Sequence, residues 1–276
     1  MRLVVGPPWL RVTVEAGAEL GRRLAHSLEP GGVERARDAS GPTLTVRSAA
    51  EPPASPRAGF ELEGEILRAS ADTGEGWYDS VAGRGVVTLT PGGGAFFETF
   101  LRQIFIWESY RRGGLVLHSV AFAEGDDAVV SCGESESGKS TLAAMLRTRF
   151  AVYSDEMNVV DANGRVWALP FRGTGIERVK TGGGLLRALT FHRSGREFAN
   201  ALLGPADAAR ELWPNVFVPE GADAGLRRVA FERVADVVGR SSAFAVKVPL
   251  EEGAAVEGFR QILHKAISIK DGRHEA

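Results

Sequence analysis

The strongest constraint on this chain is the segment Gly133–Thr141, GESESGKST, which fits the pattern G-x-x-x-x-G-K-[ST] at every required position. An apolar, strand-like run, Ala128–Cys132, precedes it, and a helix-forming turn, Leu142–Leu146, follows it. Strand, glycine-rich loop and helix is the order in which this pattern binds phosphate. The segment therefore predicts a phosphate loop for a nucleoside triphosphate with Mg²⁺.

Each residue type in this phosphate loop has a separate task. Gly133 and Gly138 permit backbone conformations in which successive N–H groups converge on phosphate oxygens at the positive end of a helix. Lys139 would supply charge to the β and γ phosphates, and the hydroxyl of Ser140 would hold Mg²⁺. The predicted nucleotide-binding set is completed by Glu134, Ser135, Glu136, Ser137 and Thr141. The pattern fits ATP and GTP alike, and we take ATP with Mg²⁺ as the expected pair.

Composition excludes several other classes of protein. The 276 residues are 44% apolar and 25% charged, as in ordinary globular proteins, and a net charge of −2 gives no electrostatic case for nucleic acid or a membrane surface as partner. Cys132 is the only cysteine, which excludes an intramolecular disulfide and a cysteine-rich zinc site. Without a membrane-length apolar run or a signal-peptide core, the expected location is cytoplasmic. A monomer and a homo-oligomer both fit this composition.

The first part of the chain, residues 1–92, is predicted to be a small β-rich domain. Short runs of alternating or β-branched residues occur between turn-rich segments. The predicted strands are Leu10–Glu15, Thr43–Arg47, Phe60–Leu67 and Val86–Leu89. No residue pattern in this part indicates a particular chemistry.

The second part, residues 93–276, is predicted to be a catalytic domain. It opens with an apolar helix around Phe96–Trp107, which would join the two domains, and continues with strands separated by short turns. The predicted strands are Leu115–Ala123, Ala128–Cys132, Ala151–Tyr153, Asn158–Val160, Arg165–Leu169, Leu185–His192 and Ala243–Val248. Such turns favour antiparallel neighbours, so we expect a mixed, largely antiparallel sheet in an α/β (α+β) fold. The parallel three-layer NTPase fold does not fit this spacing.

An adjacent acidic pair, Asp155 and Glu156, follows a predicted strand sixteen positions after Lys139. Phosphoryl transfer needs a carboxylate for Mg²⁺ and often another that orients or deprotonates the attacking hydroxyl. We therefore predict that both acids serve metal binding and catalysis. The alternative is a solvated acidic turn.

Two further residues are candidates for the same site. His118 lies in the predicted strand before the phosphate loop, where it could reach the phosphates or the acidic pair; a structural histidine is the alternative. Arg172, in the glycine-rich run Arg172–Ile176, could contact a γ-phosphate or an anionic substrate, or be a surface arginine in a turn. The other four histidines show no metal-ligand spacing, so zinc is not expected.

These segments together resemble a known family. Leu117-His118, the run Gly133–Ser140, Ser154-Asp155-Glu156 and Arg172–Ile176 are similar to the catalytic domain of HPr kinase/phosphorylase, which shares its fold with phosphoenolpyruvate carboxykinase. The pattern differs in Ser119, which replaces a glycine, and in Glu156, which replaces an aspartate. In addition, Phe171 precedes Arg172 without the glutamate that the family has before its arginine.

The resemblance implies an ATP- and Mg²⁺-dependent kinase acting on a hydroxyl, serine by preference, of a protein, peptide or small molecule. It also implies roles for four residues and one pair: Lys139 for phosphate, Ser140 for Mg²⁺, Asp155 with Glu156 for metal and general base, His118 to line the site, and Arg172 for the transferred phosphoryl.

Two other functions remain to be compared with the kinase. The chain could be a regulatory or scaffold protein that binds ATP without transferring phosphate. Carboxykinase-like decarboxylation is disfavoured because the sequence has no further histidine or lysine motif for a second metal and a dicarboxylate.

Overall fold

A computed structural model of the chain describes residues 1–28, 34–35, 41–51, 58–133, 137–171, 173–177 and 179–270. Within these residues the fold has six α-helices and two mixed β-sheets, which confirms the prediction of a mixed α/β protein. The helices are α1 (Ala18–Leu28), α2 (Gly94–Arg111), α3 (Lys139–Leu146), α4 (Pro205–Leu212), α5 (Ala224–Arg240) and α6 (Glu252–Lys270). None of the described helices has both the length and the apolar composition required to cross a membrane.

Eighteen strands form the two sheets in the described residues. They are β1 (Arg2–Val5), β2 (Val12–Ala16), β3 (Glu34–Arg35), β4 (Thr43–Ser48), β5 (Gly59–Glu63), β6 (Ile66–Ala71), β7 (Gly74–Asp79), β8 (Arg84–Leu89), β9 (Leu115–His118), β10 (Val120–Glu124), β11 (Asp127–Cys132), β12 (Ala151–Ser154), β13 (Met157–Val160), β14 (Arg165–Ala168), β15 (Gly182–Ser194), β16 (Ala199–Leu202), β17 (Val216–Phe217) and β18 (Ser242–Val248).

The first sheet has the strand order β3-β1-β2-β4-β8-β7-β6-β5. The predicted strands at Thr43–Arg47 and Val86–Leu89 correspond to β4 and β8. The single strand predicted at Phe60–Leu67 is wrong, because the chain reverses there to form the β5–β6 hairpin. Gly64 supplies the positive φ, 59°, that this tight turn requires. Helix α1 was not predicted.

The second sheet has the order β12-β10-β11-β15-β14-β13-β9-β17, and β18 pairs with both β15 and β16. Among the described strands of this sheet, parallel pairing joins β11 to β15 and β15 to β18, and the other pairings are antiparallel. The hairpins β10–β11 and β13–β14 follow the turns expected from the sequence. The sheet therefore brings the end of β11, where the phosphate loop begins, next to β15.

The strand predicted at Leu115–Ala123 is divided at Ser119. Strand β9 pairs with β13 and β17, whereas β10 pairs with β11 and β12. Two hydrogen bonds hold Ser119 between these two strands. The N–H of Ser119 donates to the Glu156 carbonyl (3.2 Å), and Asn158 Nδ2 donates to the Ser119 carbonyl (2.7 Å). These bonds fix the chain where it passes from one position in the sheet to another, immediately beside the acidic pair.

Helix α2 is buried along most of its length, as its apolar sequence predicts. Phe96 and Phe100 pack against Gly74 and Gly76 of β7, where a Cβ would collide with either ring. The one acid buried at its far end, Glu108, accepts a hydrogen bond from Tyr78 (2.7 Å). A single apolar cluster includes residues of both sheets and of α2. The division into domains at residue 92 falls just before α2 and stays a prediction.

Candidate functional site

The phosphate loop joins the end of β11 to the start of α3. Gly138 adopts a left-handed conformation (φ 93°) at the N-cap, and its carbonyl accepts the first helical hydrogen bond, from Leu142 (2.8 Å). This conformation explains the glycine, since other residues adopt it only with strain. The predicted contacts Glu134, Ser135 and Glu136 lie outside the described residues.

Lys139 is the first residue of α3 and is 8% exposed. Its ammonium donates a hydrogen bond to the carbonyl of Gly133 (2.9 Å), so the side chain folds back across the loop. Burial lowers the pKa of Lys139, and the nearby Cys132 and Glu156 oppose this shift. Ser140 is partly buried and Thr141 is exposed. The charge of Lys139 is thus poorly solvated, which favours an anionic partner.

Asp155 is buried, with 2% of its surface exposed, and fixes the segment that follows Phe171. Its Oδ1 accepts from the N–H of Gly173 (2.9 Å), and its Oδ2 accepts from the N–H of Gly175 (2.6 Å). Gly175 in turn lies against the backbone of Ser140, where a Cβ would be 2.6 Å from the Ser140 Cα. The predicted magnesium residues Ser140 and Asp155 are therefore brought together through Gly175. Arg172 lies outside the described residues.

This close approach makes Gly175→Ala a sensitive substitution. We expect it to lower the free energy of unfolding by about 1–3 kcal/mol, because a methyl group must displace the Ser140 backbone. Urea unfolding would measure the change. Gly239→Ala in α5 is the matched control: nothing lies within 4 Å of the added Cβ, so it should raise the stability by up to about 1 kcal/mol. Equal stability of the two variants would show that the contact between Gly175 and Ser140 is absent.

Glu156 faces a different set of partners. Its Oε1 accepts from Arg102 Nη1 (3.0 Å), and its Oε2 lies 4.0 Å from His118 Nε2. Arg102 comes from α2, also pairs with Glu98 (2.8 Å), and stacks over the ring of Phe171 at 4.6 Å. Arg102 was not among the predicted site residues. The available signal was a single cation within the apolar run Phe96–Trp107, because partly buried charges are normally paired.

His118 lies at the end of β9 with its ring beside Phe217, 5.9 Å between centroids. Burial is the main cause that lowers its pKa, and the charge of Lys139 acts in the same direction. Glu156, whose Oε2 is 4.0 Å away, and Asp155 oppose this shift. The neutral form of His118 is favoured.

His192 is a second residue that sequence analysis did not assign to the site. It follows the part of β15 that pairs with the end of β11 and is 3% exposed. Its Nδ1 is 2.8 Å from Ser131 Oγ, and its Nε2 is 3.2 Å from Ser137 Oγ. Burial, helped by the charge of Lys139 and opposed by a hydrogen bond with the Cys132 backbone, lowers the pKa of His192 to about 4. The ring is therefore neutral at pH 7.

A cavity of about 790 Å³ opens beside the phosphate loop. Its lining includes His118, Gly133, Ser137, His192 and Asn215. Its volume lies within the range of small-molecule sites. A second cavity of about 790 Å³ lies on the first sheet around Trp77, and none of the predicted site residues lines it. We assign the site to the cavity beside the loop, because three of the predicted residues, His118, Gly133 and Ser137, line it.

The oxygen donors near the loop fit Mg²⁺. The predicted ligands are the Ser140 hydroxyl and the carboxylates of Asp155 and Glu156, and Mg²⁺ is usually bound by one or two carboxylates together with substrate phosphates and water. Within the described ranges, no group of three or more His, Cys, Asp or Glu side chains is placed to hold a metal by itself. Cys132 is buried, as expected of a structural thiol, and burial raises its pKa to about 12.

In the described part of the site, His118, Gly133, Ser137 and His192 line one cavity. The buried Lys139 is bonded to Gly133, and Glu156 of the acidic pair lies 4.0 Å from His118. No model of a known protein family matches the chain, and a search of the curated proteins finds no significant match.

Proposed function

We propose that the chain is an ATP- and Mg²⁺-dependent kinase that transfers the γ-phosphoryl group to a hydroxyl, by preference that of a serine, in a protein, peptide or small molecule. The observation that carries this proposal is the connection from Asp155 through Gly175 to Ser140, which joins an acid to the magnesium end of the phosphate loop. The resemblance of the loop, the acidic pair and the Arg172–Ile176 segment to HPr kinase/phosphorylase is a second support.

The residues divide the work according to their surroundings. Lys139 and the N-terminal N–H groups of α3 bind the phosphates and offset the charge of the transition state. Mg²⁺, when bound, neutralises charge on the triphosphate, and Ser140 and Asp155 are the residues that would hold it. Asp155 is buried, and both of its carboxylate oxygens accept hydrogen bonds from backbone N–H groups, whereas Glu156 is partly exposed beside His118. We therefore assign the metal side to Asp155 and the acceptor side to Glu156.

Glu156 is suited to receive the acceptor proton. Arg102 fixes the orientation of its carboxylate by a 3.0 Å bond. In the transfer, the acceptor oxygen forms a bond to the γ-phosphorus, the bond from that phosphorus to the leaving oxygen of ADP breaks, and the acceptor proton moves to Glu156. Neutral His118, next to Glu156, lines the position of the acceptor.

The alternative is a protein that binds ATP without transferring phosphate. One observation favours it: the ion pair between Arg102 and Glu156 and the two backbone bonds of Asp155 would also serve a purely structural purpose. Binding and turnover must therefore be measured separately.

The experiment uses the full chain. We expect calorimetry to show binding of ATP that strengthens with Mg²⁺ and weakens when EDTA removes the metal, because Ser140 and Asp155 act through it. ADP should form slowly with water as the acceptor. Binding with no ADP over many hours would favour the alternative, and absence of binding for both ATP and GTP would refute both functions.

A further inference from the structure

The imidazole of His192 connects the phosphate loop to the second sheet. His192 contacts Ser131 of β11 with one ring nitrogen and Ser137 of the loop with the other. Ser131 and Ser137 belong to the same strand–loop segment, whereas His192 comes from the neighbouring strand, 55 positions beyond Ser137. The ring thus links the described part of the loop to the neighbouring strand of the sheet.

The first glycine of the loop makes room for this link. A Cβ on Gly133 would lie 3.0 Å from His192 Cε1 and would collide with Ser137 Oγ. The lack of a side chain at Gly133 therefore allows the imidazole and Ser137 to approach each other. Gly133 is also a position at which the phosphate-binding pattern requires glycine. His192, Ser137 and Gly133 all line the cavity beside the loop.

The neutral state of His192 limits how the link can be made. A neutral ring has one N–H donor and one nitrogen acceptor, and each serine hydroxyl has one donor and two acceptor sites. The bond to Nε2 therefore uses only part of the bonding capacity of Ser137. When Nε2–H is the donor, Nδ1 accepts from Ser131, and the Ser137 hydroxyl keeps its proton to donate at the cavity, where a triphosphate offers acceptors only.

We propose that His192 is a positioning residue of the phosphate loop, which acts through Ser137 to hold the loop in the conformation that binds the triphosphate. This inference rests on the proposed nucleotide binding. Because the link is one hydrogen bond between neutral groups, its loss should weaken the affinity for Mg-ATP by about three- to tenfold.

Two amide variants separate the two ring nitrogens. The side-chain amide of His192→Gln reaches the position of Nε2 and can keep the bond to Ser137, whereas that of His192→Asn reaches only the position of Nδ1. Calorimetry with Mg-ATP should give about three- to tenfold weaker affinity for His192→Asn, with most of the affinity restored in His192→Gln. Ser137→Ala should lose at least as much affinity as His192→Asn, and the double variant should lose little more than Ser137→Ala, because both substitutions remove the same bond between His192 and Ser137.

Thr190→Val is the matched control, since Thr190 is also buried on β15 and its hydroxyl has no partner. We expect it to leave the affinity unchanged. Equal affinity of His192→Asn and His192→Gln, or an unchanged affinity in Ser137→Ala, would overturn the inference while leaving nucleotide binding in place. Absence of Mg-ATP binding in the wild type would instead refute the proposed function. Because Ser137 is only partly buried, its alanine variant keeps the test valid if the His192 variants do not fold.

Discussion

The variant Lys139→Met should lose ATP turnover by roughly 10²- to 10³-fold, the range found when one preorganised donor to a transition-state charge is removed. The ammonium of Lys139 donates a hydrogen bond to the carbonyl of Gly133, the first residue of the loop, and would be the main cation at the β and γ phosphates. Methionine has a similar stem but no charge. Release of ADP from Mg-ATP would measure the loss.

We do not expect unfolding of the variant to cause this loss of turnover. Lys139 is nearly buried and its pKa is lowered by burial, so its charged form is held at a cost in free energy. Removing the charge should therefore leave the thermal midpoint unchanged or raise it. Lys247→Met, on the exposed side of β18, is the control and should keep full turnover. If Lys139→Met turns over ATP as fast as that control, Lys139 does not contact the phosphates in the transition state.

The parts of this fold that could be predicted from sequence are those set by neighbouring residues. The phosphate loop needs glycines at fixed spacing, and the hairpins β10–β11 and β13–β14 need turn residues between two short strands. The bounds of β11 and the start of α3 therefore follow closely from the pattern. The division at Ser119 does not, because it depends on which strands β9 and β10 pair with.

The two site residues that sequence analysis missed are distant in the chain from the groups they contact. Arg102 is 54 positions from Glu156, and His192 is 55 positions from Ser137. Their contacts depend on α2 packing across the second sheet and on β15 lying parallel to β11. A parallel pair requires a long connection, so no local spacing reveals it. For this reason the sequence predicts the site residues that belong to the motifs, but not Arg102 and His192, which contact those residues from distant parts of the chain.

Asp155→Asn should lower Mg-ATP turnover by roughly 10²- to 10³-fold, for two reasons that act together. The carboxylate charge that would hold Mg²⁺ is removed. In addition, the new amide offers one acceptor oxygen for two backbone donors, Gly173 and Gly175, so its NH₂ group must face an N–H. The segment that lies against Ser140 then loses one of its two attachments. Stimulation of ATP binding by Mg²⁺ should fall as well, while metal-free binding should change little.

The control for Asp155→Asn is the same substitution at Asp161, a second aspartate whose two carboxylate oxygens accept hydrogen bonds but which does not belong to the predicted site. Asp161 is also buried, and its Oδ1 accepts from the N–H groups of Asn163 (2.8 Å) and Arg165 (2.9 Å) while its Oδ2 accepts from Trp167 (2.9 Å). Asp161→Asn should cost a similar amount of stability, about 1–3 kcal/mol, by leaving a buried donor unpaired. It should keep Mg-ATP turnover. If the two variants lose turnover equally, Asp155 acts only by supporting the fold, and the protein that binds ATP without transferring phosphate becomes the better account of the site.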